Sequence, residues 1–149
     1  MRLGMAIFAV LATAAAPVLA AGDATKGEAV FKQCQTCHSV IDPDGNVLAG
    51  KNGKIGPNLY GVFGRTAGTY EGFKYGADMV AAGAARVGWD EANFVEYVQN
   101  PAAFLKAKLN KPNAVAKMSF KVKNAESAAD VYAYLAQFSP AAGEAAPSN

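Results

Sequence analysis

Apolar residues recur with a helical period in three stretches of the chain, and each stretch carries its own start or stop signals. Gly27, Val30, Phe31 and Cys34 fall at i, i+3, i+4 and i+7 behind a cap at Asp23 or Thr25. That spacing predicts a first helix that delivers Cys34 at its C-terminal end. Within 89–101, Phe94, Tyr97 and Val98 share a face, Asp90 is a good cap, Glu91 sits near the positive end, and Pro101 blocks continuation. A last helix is predicted to begin within 124–127. Its apolar face is Ala128, Val131, Tyr134, Leu135 and Phe138, and Pro140 is its stop. Shorter helices are expected over 76–82 and 102–108. Between them, DPDG (42–45), KNGK (51–54) and the glycine-rich run 56–68 read as turns and long loops. No stretch alternates in the manner of a strand. The expectation is a small all-α domain with long loops. Such loops and short helices bury little apolar surface, so something besides side chains is expected to fill the centre.

The first residues change the picture of where the domain begins. Arg2, then an apolar run to Ala15, then Pro17 and the small residues around Ala20 have the layout of a secretory signal. The run is short for about 30 Å of hydrocarbon, which disfavours a retained anchor. The expected organisation is a signal peptide over 1–21, a domain over 22–139 and a disordered tail over 140–149. The expected location is the periplasm. The chain has 14 Lys and Arg against 12 Asp and Glu. That near balance argues against general nucleic-acid binding. The charges are unevenly placed: 102–124 holds six lysines and no acid, whereas 71–96 holds five acids with only Lys74 and Arg86. Such asymmetry makes a dipole that can steer association.

The candidate chemistry lies in FKQCQTCHSV (31–40), which contains the only two cysteines and the only histidine of the chain. A disulfide suits an oxidising compartment but gives His38 no role. A thioredoxin-like dithiol needs a βαβ setting that is not visible. A structural zinc site wants four ligands, and only three Cys and His residues exist. Covalent haem attachment through C-x-x-C-H accounts for all three residues. Cys34 and Cys37 then carry thioethers to the two vinyl groups, and His38 sits under the iron. One motif means one haem, and one histidine means the far ligand is Met, Lys, another weak ligand or none. Beyond the signal the methionines are Met79 and Met118.

Several ordered segments make the chain resemble the class I cytochromes c, specifically the long-loop bacterial carriers related to mitochondrial cytochrome c. They are GEAVFKQCQTCH (27–38), GPNLYGVFGRTAG (56–68), GFKYG (72–76), GWDEANFVEYVQNP (88–101), KMSF (117–120) and DVYAYL (130–135). The resemblance implies that the N- and C-terminal helices pack together through Gly27, Phe31, Val131 and Tyr134. It implies that Met118, and not Met79, is the sulfur ligand opposite His38. It places the Pro57 carbonyl on the second ring nitrogen of His38, Tyr97 beside the sulfur, and Arg65, Tyr75 and Trp89 near the haem propionates. Relative to the mitochondrial pattern, the 39–56 and 102–117 loops are longer. Ala116 replaces a threonine and Met79 an asparagine.

The implied function is a monomeric, soluble one-electron carrier, not an enzyme. It would take electrons from a quinol-oxidising cytochrome complex and pass them to a photosynthetic reaction centre or a terminal oxidase. Lys32, Lys54, Lys106, Lys108, Lys117, Lys121 and Lys123 are the expected docking ring for the acidic faces of those partners. The competing reading is a haem protein with a labile sixth position, acting as a peroxidase-like enzyme or gas binder.

Overall fold

The computed structural model describes residues 22–51 and 53–140. The expected signal peptide and the tail beyond Pro140 lie outside the described residues. Among the described residues, five helices and one short hairpin follow in the order α1 (Ala24–Phe31), β1 (Ser39–Ile41), β2 (Val47–Gly50), α2 (Ala77–Ala84), α3 (Glu91–Gln99), α4 (Pro101–Leu109) and α5 (Ala125–Ala136).

Polar side chains fix the starts of most of these helices. Asp23 accepts from the amides of Thr25 and Lys26 at α1, Asp90 from Asn93 at α3, and Asn124 from Ser127 at α5. Each satisfies a donor that the first turn leaves unpaired. Asn100 has two roles. It ends α3, and its side chain accepts from Ala103 N to open α4, whose first residue is Pro101. The expected stop at Pro101 is thus also a start, since a missing N–H costs nothing at the first helical position.

The first and last helices cross where a side chain is missing. A Cβ on Gly27 would stand 1.9 Å from the Asp130 carbonyl oxygen and 2.8 Å from Tyr134 Cβ. Phe31 and Val131 are buried beside it, and the Phe31 and Tyr134 rings lie 5.3 Å apart. Asp130, buried on α5, accepts from Asp23 N at 2.7 Å and so ties the entry of α1 to α5. The face predicted for α5 holds in Ala128, Val131 and Leu135. The helix ends at Ala136, however, and turns carry the chain through Phe138 to Pro140.

The hairpin is the departure from the sequence reading. β1 and β2 pair antiparallel, Ser39 opposite Gly50 and Val40 opposite Ala49, with an irregularity after Val40. Strands of three and four residues are too short to show alternation, and the irregularity shifts the period. The DPDG turn was legible. Asp42 closes it by accepting from Asn46 N and Nδ2, both at 2.8 Å.

Two apolar clusters form the core. One joins α1, α3 and α5 around Phe31, Phe94 and Leu135. The other joins α2 and α4 around Met79, Trp89, Phe104 and Leu105. Leu59, Phe63 and Tyr97 touch both. Among the described residues no helix is long and apolar enough to cross a membrane.

Candidate functional site

The chain leaves α1 in a tight turn. The Cys34 carbonyl accepts from Cys37 N at 3.0 Å and His38 N at 2.9 Å. One turn therefore carries both sulfurs and the imidazole. The first helix stops at Phe31, three residues before Cys34, and the turns that follow deliver the motif. Cys34 and Cys37 are unpaired thiols. Burial, and secondarily the neighbouring Cys37, push the Cys34 thiol up to about 11. A dithiol exchange site needs the opposite shift, toward the thiolate.

His38 is held in one state. Its Nδ1 lies 2.9 Å from the Pro57 carbonyl, which can only accept, so Nδ1 carries the proton. Burial lowers the ring pKa below 6.5, and the bond to Pro57 only partly opposes this. The result is a neutral imidazole with an Nε2 lone pair, the form that binds a metal.

The segment after the hairpin packs directly on this ring. A Cβ on Gly56 would stand 2.3 Å from His38 Cε1. Gly56 N donates to the Cys37 carbonyl at 2.8 Å. Asn58, next to Pro57, grips the first strand: it accepts from Ile41 N at 2.9 Å and donates to Ile41 O at 2.7 Å. Neither residue was singled out from sequence. A glycine ahead of a proline in a long loop was the available signal for Gly56. The Asn58 contacts span 17 residues and leave no local signature.

The residues expected around the propionates come together. An antiparallel bridge between Thr66 and Gly88 sets Arg65 beside Trp89, with Trp89 N donating to Arg65 O at 3.0 Å. The Arg65 guanidinium donates to the Asn58 and Tyr60 carbonyls and lies 4.8 Å from the centre of the Tyr70 ring. Burial lowers its pKa, while Tyr75 and Tyr70 partly restore it. Burial raises Tyr75 against the pull of Arg65. Burial also holds Tyr97 far above its ordinary range, with Tyr75 adding to the effect. The Trp89 and Tyr97 rings are 4.9 Å apart, edge to face.

The two methionines separate cleanly. Met79 is buried in the cluster of α2 and α4. Met118 is half-buried and packs on the other cluster, as Cys34 does. The candidate docking lysines are all exposed. They are not all free, however. Lys108 pairs with Glu96 at 3.5 Å, and Lys117 Nζ donates to the Lys74 carbonyl at 2.8 Å. Lys111, from the same basic run, is bonded to Asp78.

This donor set fits a haem c. Two free thiols share a turn with a neutral histidine of fixed tautomer, and the glycine facing that ring leaves no room for a side chain. Comparison with known proteins agrees. The chain is 51% identical to a cytochrome c2 of Cereibacter sphaeroides over 134 residues, covering 89% of this chain and 92% of that protein. It is 47% identical to a cytochrome c-550 of Paracoccus versutus over 146 residues, 96% and 93% of the two chains. The crystal structure of cytochrome c2 from Rhodobacter sphaeroides superposes with a TM-score of 0.77 at 50% identity, over 79% of this chain and 97% of the other. No family model matches the chain. The chain belongs to the cytochrome c2 group of the class I cytochromes c, and is an electron carrier with one haem c bound through Cys34 and Cys37, not an enzyme.

Proposed function

We propose that this protein is a periplasmic one-electron shuttle whose iron is held between His38 and Met118. The observation that carries the reading is the state of His38. Its ring is neutral, its Nδ1 is committed to Pro57, and its Nε2 is uncommitted, on the same turn as two free thiols. Haem c bound there supplies the ferrous–ferric couple, one electron at a time.

The residues of the chain do the rest. Thioethers from Cys34 and Cys37 keep the cofactor on the protein between partners. Pro57 fixes the tautomer and raises the basicity of His38. Met118 is favoured over Met79 as the second ligand because it shares its apolar surroundings with Cys34. Its thioether sulfur favours the ferrous form and raises the potential. Arg65, Tyr75 and Trp89 offer a cation, a hydroxyl and an indole N–H for the propionates, and Tyr97 lies against Trp89 and its neighbours. With His38 and Met118 both serving as ligands, electron transfer would require little rearrangement of the chain.

Residues 1–21 export the chain and are removed, and 22–139 form the carrier. The exposed lysines 32, 54, 106, 108, 117, 121 and 123 guide the monomer to acidic faces of membrane redox complexes. The donor is a quinol-oxidising cytochrome complex, and the acceptor a photosynthetic reaction centre or a terminal oxidase. The test is turnover with membranes containing each complex. The purified protein should be reduced by the quinol-oxidising complex and reoxidised by one of the two acceptors. Failure of both transfers, with ready carbon monoxide binding by the ferrous protein, would make it the haem protein with a labile sixth position.

A further inference from the structure

The Met118 segment is suspended between two anchors. After the left-handed residue Asn110 (φ 48°), a turn forms through Lys111 N to Lys106 O at 3.0 Å and Ala114 N to Lys111 O at 3.0 Å. Val115 N then donates to Asp78 at 2.8 Å. The next main-chain hydrogen bond is Val122 N to Val98 O at 2.8 Å. Between them, among the described residues, no main-chain group of 116–121 bonds to another main-chain group. The one polar side-chain tether there is Lys117 Nζ on the Lys74 carbonyl. Met118 hangs near the middle of this span.

The first anchor is a single buried carboxylate. Asp78 lies in the first turn of α2 and is 5% exposed. One oxygen takes Lys111 Nζ at 2.6 Å and the other takes Val115 N at 2.8 Å. It therefore clips both ends of the 111–115 turn to α2. The Lys111 ammonium, followed by the Val115 amide, holds the carboxyl below its ordinary range. The side chain of Val115 is exposed while its amide turns inward to Asp78, so burial of the side chain does not hold this point. Ala114, almost fully buried in the α2–α4 cluster, seats the turn beside the clip.

We infer that Asp78 is a positioning residue for the sixth ligand: the two hydrogen bonds it accepts, from Lys111 Nζ and Val115 N, keep the Met118 segment closed on the haem and limit exchange of that ligand. The inference rests on the proposal that Met118 binds the iron. Removing the carboxylate leaves the Val115 amide without its partner and frees the N-terminal anchor of a span that has no main-chain bonds of its own. Charged hydrogen bonds of this kind are the stronger class. The ion-pair half involves a lysine that is half exposed, which weakens its share. The amide half is therefore expected to matter more.

The test uses the ferric holoprotein and imidazole as an incoming ligand. Four variants are compared: Asp78→Ala, Asp78→Asn, Lys111→Met, and Val131→Ala as a control that weakens the distant α1–α5 contact. For each, the limiting rate of imidazole binding, the unfolding midpoint and amide exchange at 115–118 are measured. Asp78→Ala should raise the imidazole rate by about tenfold or more. Asp78→Asn, which keeps an acceptor for Val115 N, and Lys111→Met should raise it less. Val131→Ala should lower the unfolding midpoint without a matching rise in rate. Equal rates in Asp78→Ala and Val131→Ala at equal loss of stability would overturn the inference. If Asp78→Ala does not accumulate, Asp78→Asn and Lys111→Met carry the test, and rates unchanged from wild type in both would overturn it. A wild-type ferric protein without the far-red iron–methionine band would overturn the ligation proposal instead. The clip is then judged on amide exchange, where unchanged protection at 115–118 in Asp78→Ala or Asp78→Asn would overturn it.

Discussion

Replacing Gly56 by alanine tests how the loop after the hairpin controls His38. The three atoms nearest an added Cβ all belong to the imidazole, at 2.3 Å from Cε1, 2.6 Å from Nδ1 and 2.7 Å from Nε2. The closest approach falls about 1.2–1.7 Å short of ordinary carbon contact. Neither side can yield cheaply. The ring is bonded to Pro57, the residue after the substitution, and Gly56 N is bonded to the Cys37 carbonyl. Moving the ring away stretches the 2.9 Å bond to Pro57, and moving the loop breaks the 2.8 Å bond to Cys37. Overpacking costs about 1–3 kcal/mol. A strained or lost hydrogen bond adds about 1 kcal/mol. The reduced freedom of the unfolded alanine chain returns about 0.5 kcal/mol. The net expectation is a loss of about 1.5–3.5 kcal/mol in guanidinium unfolding of the holoprotein. The potential should also rise, because a weaker bond at Nδ1 makes the histidine a poorer donor to ferric iron. Gly88→Ala is the control, since a Cβ there meets nothing within 4 Å. A Gly56→Ala protein as stable as Gly88→Ala, with an unchanged potential, would refute the reasoning.

The other expectations concern ligation, docking and acid stability. Met118→Ala should open the ferrous iron to carbon monoxide and lower the potential markedly, while Met79→Leu, a swap of similar volume in the α2–α4 cluster, should leave ligation unchanged. Absorption spectra with and without carbon monoxide decide between them. Lys106→Glu or Lys121→Glu should slow bimolecular transfer to an acidic partner at low salt more than Lys26→Glu, whose lysine pairs with Glu126. The difference should shrink as the Debye length falls from about 30 Å at 0.01 M to about 10 Å at 0.1 M. Stopped-flow rates over a salt series measure it. Asp42 is held below 3.8, first by the Asn46 side chain and then by turn amides. Because its folded-state pKa is depressed, its contribution is present above the unfolded value and is lost as the pH falls through the folded one. Asp42→Asn should therefore flatten the acid limb of stability below about pH 4, read by thermal unfolding across pH.

What was legible in the sequence was local. The cap at Asp90, the choice of Asp23 or Thr25 ahead of the first helix, and the apolar spacing of the terminal helices mark elements that the structure contains. The C-x-x-C-H turn marks its own chemistry, because its three residues act through a single turn of chain. The hairpin was invisible because its strands are too short to set a period, although its turn was visible. What escaped altogether were contacts between distant segments. Asp78 and Lys111 are 33 residues apart, and each reads alone as an ordinary surface charge. Lys111 stood in the basic run with the candidate docking residues, yet it serves the fold. Gly56 and Asn58 belong to a loop whose sequence says only that it turns. Their work on His38 and β1 appears once the chain has folded back.

The most direct test of the central claim is an optical redox titration of the purified mature protein. One covalently bound haem should titrate reversibly in a single one-electron step. The ferric form should show the weak far-red band of iron–methionine bonding, and the ferrous form should be inert to carbon monoxide. A colourless protein would contradict haem attachment at Cys34 and Cys37. A coloured one that lacks the far-red band and binds carbon monoxide readily would contradict the carrier held between His38 and Met118.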